Sequence, residues 1–198
     1  MKRIALPLSL LAMLLAACQR TPPAEPGAAA PPVAAPAAQA TPAPAATTVA
    51  AGDADWQGYG PAQLGIDAEQ LRTAWGEELQ GDAAADGGCY YLSSPANTSA
   101  GPFFMLEGNQ FLRYDVRGGD APAPGGGRIG MDLAQLQALY PQAEAPQPHK
   151  YVDGGKMLRV PASDGSQSWL VFELGADGRA RAWRVGVPPQ VDYVEGCG

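Results

Sequence analysis

Leu64-Gly65-Ile66-Asp67-Ala68-Glu69-Gln70-Leu71 returns further along the chain as Ile129-Gly130-Met131-Asp132-Leu133-Ala134-Gln135-Leu136. Each copy sets an aspartate where a helix can begin and a glutamine three residues later. This is the capping-box arrangement, in which two side chains satisfy backbone N–H groups that a helix start leaves unpaired. Two helices of about two turns each are expected, stopping near Gly76 and Pro141.

The match extends outward from those starts. Trp75 answers Tyr140, and Phe104 to Val116 (FMLEGNQFLRYDV) resembles Phe172 to Val185 (FELGADGRARAWRV). Both stretches predict hairpins, turning at Glu107-Gly108-Asn109 and at Gly175-Ala176-Asp177-Gly178. A further strand precedes each, Cys89 to Leu92 and Lys156 to Val160. The expected fold is α+β: a tandem repeat of a short helix plus three or four antiparallel strands, over 55–120 and 121–198, forming one domain. Gly125-Gly126-Gly127 reads as the connector. Two short helices cover one face of such a sheet and leave the other open.

A pair of units opened by Gly-hydrophobic-Asp-x-x-Gln-Leu resembles the β-lactamase inhibitor protein fold. A single unit is similar to small outer-membrane lipoproteins of the BamE/SmpA type, whose Gly-Met-Thr-x-x-x-Val helix start is comparable with Gly130-Met131-Asp132. Both positions carry Asp where those families often have Thr or Ser. The resemblance covers residues 60–195 as architecture and implies a protein that binds other proteins and is not an enzyme.

The amino terminus predicts where the domain works. Lys2 and Arg3 precede an apolar run, Ile4 to Leu15, with the pattern of a signal peptide over 1–17. The run is shorter than the ~20 residues needed to span a bilayer. Leu15-Ala16-Ala17-Cys18 resembles the lipobox of bacterial lipoprotein precursors, which implies acylation of Cys18 and anchoring through lipid. Gln19 stands where an aspartate often marks inner-membrane retention, so the resemblance points to the outer membrane, facing the periplasm. From Thr21 to about Gly52, within 18–54, the chain is almost entirely Ala, Pro and Thr, a composition that buries too little apolar surface to fold. It reads as a disordered tether.

All four Trp, seven Tyr and four Phe lie beyond the tether. The formal net charge is −7, and loss of Lys2 and Arg3 with the leader makes it more negative. No Lys/Arg cluster follows a phosphate backbone, so nucleic acid is excluded as a partner, and contact with the membrane is expected through the lipid anchor alone. Cys89 and Cys197 form an even pair in an oxidising compartment, and a disulfide between them is expected.

Catalytic patterns are missing from the sequence. His149 is the one histidine, in a proline-rich loop, and no cysteine cluster accompanies it, so neither a metal site nor a cofactor is expected. Gly165-Ser166-Gln167-Ser168 lacks the Gly-x-Ser-x-Gly of a nucleophile elbow. Alternation along the hairpins instead defines a candidate binding surface. With Phe104, Leu106, Leu112, Tyr114 and Val116 turned to the helices, the opposite face receives Phe103, Met105, Phe111, Arg113, Trp169, Val171, Glu173 and Arg184. Aromatics mixed with Met, Arg and acids are the composition of a protein-binding patch. The leading expectation is a lipid-tethered periplasmic module that grips a protein partner, as an inhibitor or immunity-type protein. The alternatives are a lectin-like carbohydrate or peptidoglycan binder, with Trp169, Phe103 or Tyr90-Tyr91 stacking on sugars, and an accessory of outer-membrane protein assembly.

Overall fold

Asp67 and Asp132 do what their spacing predicts. In the computed structural model, which describes residues 54–97 and 99–197 of the 198, each carboxylate accepts from the amide of the glutamine three residues on. Each glutamine side chain in turn accepts from the aspartate's own backbone N–H at 3.0 Å. The helices that follow are α1 (Ala68–Trp75), closed by Gly76 at a φ of 77° that favours glycine, and α2 (Leu133–Leu139), capped by Tyr140. The expected leader, Cys18 and the tether through residue 53 lie outside the described residues. The described residues belong to one compact unit, Ala45–Gly198.

A small hairpin, β1 (Gly58–Tyr59) with β2 (Ala62–Gln63), precedes α1. The main sheet contains β3 (Tyr90–Ser93), β4 (Phe103–Glu107), β5 (Gln110–Val116), β6 (Gln147–Pro148), β7 (Lys156–Pro161), β8 (Trp169–Leu174) and β9 (Ala180–Gly186). Its order is β3-β4-β5-β9-β8-β7-β6, every neighbour antiparallel, with β5 and β9 joined at the centre. The β4–β5 turn is the two-residue Gly108-Asn109, both at positive φ, as the right-handed twist of a tight hairpin requires.

Both helices pack on one core. Leu71 of α1 and Leu136 of α2 join Phe104, Leu106, Tyr114, Leu170, Phe172, Trp183 and Val185 in a single buried cluster. The helix starts attach to the sheet in matching ways. Gly65 N–H donates to Phe111 O and Phe111 N–H to Ile66 O; Gly130 N–H donates to Ala180 O and Ala180 N–H to Met131 O.

Two expectations need correction. Phe111 lies in the helix-side core, fully buried, and not on the opposite face. Met105 pairs with Arg113 but Leu106 pairs with Phe111, so Leu112 is an extra, bulged residue that breaks the alternation on which the sequence assignment relied. Leu112 itself stays half-buried outside the core cluster. The same irregularity occurs in β9, where Leu174 pairs with Ala180 and Glu173 with Ala182, leaving Arg181 between them.

The second correction concerns the open face. Residues 187–197 fold back as a strap across it, through a short turn at Gln190–Asp192. Val191 packs with Met157 and Val171, and Trp169 and Val194 close around them. The strap ends in the Cys89–Cys197 disulfide, with Cα atoms 5.2 Å apart. Without the strap Met157 and Val171 would stand in water on that face; Val191 covers them.

Candidate functional site

The strap is held by side chains of the strands beneath it. Arg113 donates through Nε and Nη2 to Asp115, and through Nη1 to the carbonyls of Gln190 at 3.0 Å and Tyr193 at 2.6 Å. Arg184 donates through Nε to Val191 O at 2.6 Å and through Nη1 to Glu173. Arg113, Asp115 and Arg184 are at most 5% exposed. Buried charges persist only when paired and hydrogen-bonded, and here the strap's carbonyls complete the pairing. Burial pushes the Arg184 pKa down, and the nearby Arg113 charge adds to the effect. Burial likewise raises the Tyr91 phenol to about 12, helped by the negative charge of Asp115.

Of the expected surface, Met105, Arg113, Val171 and Arg184 are therefore buried, and Phe111 is in the core. Phe103, Trp169 and Glu173 remain half-buried. The guanidinium of Arg117 lies 4.6 Å over the Phe103 ring and that of Arg159 lies 4.2 Å over Trp169. Tyr90 is buried with its hydroxyl 3.4 Å from Asn109 Oδ1, so it offers no ring face to a sugar.

Glu173 leads to a feature that sequence reading missed. Its second oxygen, Oε2, is 3.7 Å from His149 Nε2, and the His149 side chain is 7% exposed. The other ring nitrogen, Nδ1, accepts from the backbone N–H groups of Tyr151 at 3.0 Å and Val152 at 3.2 Å. His149 thus organises the loop 149–155 that joins β6 to β7. His149 N–H donates to Gly155 O and Gly155 N–H to Val152 O. The closure is tight: a Cβ at Gly155 would meet Val152 Cβ at 2.8 Å and Leu174 O at 2.9 Å.

This loop presents apolar side chains outward. Tyr151 is 55% exposed and Val152 38%, adjacent residues that with Leu139 make up the exposed large hydrophobics among the described residues. Lys150 lies 4.9 Å over the Tyr151 ring and pairs with Glu195 of the strap at 2.9 Å. A groove of about 350 Å³ runs beside the tip, between Pro146, Pro148, Val152, Asp153 and Lys156. The available sequence signal was a lone histidine between two prolines and Val-Asp-Gly-Gly. It marks a turn but not that the ring folds inward.

Among the described residues there is no group of three or more His, Cys, Asp or Glu side chains that could hold a metal ion. Nor is any helix among them long and apolar enough to cross a membrane. No protein-family model matches this chain. No curated protein matches it either. Among solved structures the chain is similar to an extracellular protein containing an SCP domain from Bacillus anthracis str. Ames, at 13% identity and a TM-score of 0.41. That alignment covers 63% of this chain and spans 44% of the other, less than half its length.

Proposed function

We propose that this chain is a non-enzymatic lipoprotein of the cell envelope that binds another protein through the rigid loop tip at Tyr151 and Val152. The observation that carries this reading is the buried His149 ring, which accepts from both of those residues' backbone N–H groups while their side chains stand in solvent. Ordering a loop before binding lowers the entropy cost of association, and tyrosine is among the residues enriched at binding hot spots.

In this proposal Cys18 carries the lipid, the tether lets the domain reach into the periplasm from the outer membrane, and the partner is an enzyme or toxin that the module restrains. The matching helix caps, helix-to-strand hydrogen bonds and strand bulges support descent from a duplicated helix-plus-sheet unit. They are consistent with the resemblance to the β-lactamase inhibitor protein and BamE/SmpA folds. The lectin-like reading is disfavoured by Arg117 and Arg159, which already occupy one face of Phe103 and of Trp169. Photo-crosslinking tests the proposal. A photoreactive amino acid at Tyr151 of the full-length lipoprotein, in the bacterium that makes it, is expected to trap one discrete protein. The same group at exposed Thr73 on α1 is expected to trap none. Equal trapping at both positions contradicts the proposal.

A further inference from the structure

Between the sheet and the strap lies a cleft of about 220 Å³ whose walls include Arg113, Asp115, Arg117, Glu173, Arg184 and Glu195. Its charges are unequally satisfied. Arg113 spends all three nitrogens on Asp115 and the strap carbonyls. Glu173 takes Arg184 Nη1, and Glu195 turns to Lys150. Two sets of donors are left over. Arg184 Nη2 is sealed from solvent with no acceptor among the described residues. Arg117, exposed at the mouth, stacks on Phe103 and Tyr91 and makes no ion pair among the described residues.

An unfilled guanidinium edge in a desolvated cleft is costly, and an oxyanion is the ligand that completes it, because two oxygens match the planar fork of arginine. We propose that this cleft is a binding site for a small monocarboxylate, free or at the end of a peptide, which pairs with Arg117 at the mouth and, after a side-chain shift that uncovers it, with the Nη2 edge of Arg184. A single negative charge suits it. Asp115, Glu173 and Glu195 stand on the same walls and repel a dianion such as phosphate, while Arg117 lacks one counter-charge. The site is separate from the loop tip and does not depend on the function proposed above.

The test is a thermal-shift and calorimetric titration of the full-length protein with acetate, phosphate and chloride at constant ionic strength. Acetate is expected to raise Tm saturably, and chloride to leave it unchanged. Arg117→Ala, an exposed position outside the core, is expected to weaken acetate binding by about tenfold. Arg184→Lys, which keeps the charge but removes the free edge, is expected to weaken it comparably. Acetate behaving as chloride does overturns the site, as does an Arg117→Ala protein that titrates like the parent. Phosphate binding as tightly as acetate overturns the assignment to a monocarboxylate.

Discussion

Phe111 sits beneath the helices because Leu112 is an extra residue in its strand, and its replacement tests that placement. Phe111→Ala leaves a cavity in a close-packed core and is expected to cost about 3–5 kcal/mol. Tyr151→Ala, at an exposed tip, is expected to stay within about 0.5 kcal/mol. Urea denaturation of the two variants distinguishes them, and similar losses would contradict the burial described. The tyrosines make a second prediction. Burial lifts Tyr91 and Tyr140 to about 12 and Tyr114 well above the ordinary value. A phenol whose folded pKa is raised keeps its proton better when folded, so its contribution is complete below pH ~10 and is lost as pH climbs toward the folded value. Stability is therefore expected to fall steeply between about pH 10 and 12, with late tyrosinate absorbance rising together with the loss of far-ultraviolet ellipticity. Ionisation of all the tyrosines near pH 10 with the fold intact would contradict it. At this scale strict alternation was legible for β8, where Leu170, Phe172 and Leu174 are core residues, and misleading for β5. A one-residue bulge leaves no mark in a hydrophobic pattern.

At the scale of elements, helix starts and hairpin turns were legible because capping and turn chemistry are local: Asp67 with Gln70, Asp132 with Gln135 and Gly108-Asn109 each act within four residues. The strap was not legible. Val187 to Cys197 shows no periodicity, and much of what holds it is its own backbone carbonyls, accepting from Arg113 and Arg184, beside long-range pairs of Asp192 with Arg159 and Glu195 with Lys150. Those arginines read as exposed polar residues of a strand, and a carbonyl has no side-chain signature. The one hint was Cys197, whose pairing with Cys89 requires the terminus to return to β3. That bond closes a sequence separation of 108 residues. In the chain-entropy description a crosslink of this span contributes about 4–5 kcal/mol, less any strain. Cys197→Ser is expected to lower stability toward that amount and to raise amide exchange in 187–197 more than in β8. Unchanged exchange in the strap would show that its side-chain anchors suffice alone.

For the whole molecule, the seven-stranded sheet and its helices serve as a rigid base for two features that cross its second face or leave its edge, the strap and the loop tip. Glu173 stands between the two, 3.7 Å from His149 Nε2 and accepting from Arg184, which also donates to Val191 O of the strap. The α+β class and the disulfide could be read from the sequence, because repeated caps and an even cysteine pair are direct signals. The candidate surface could not, because burial under the strap is a long-range consequence of folding. In the proposed function recognition occurs at the loop tip and not on the sheet. The most direct test is the affinity of the full-length protein for the partner trapped at Tyr151, measured for the parent, Tyr151→Ala and Met105→Leu. Tyr151→Ala is expected to weaken binding by at least about tenfold, as for an exposed hot-spot tyrosine, while the buried Met105→Leu leaves it unchanged. Full affinity in Tyr151→Ala would contradict it.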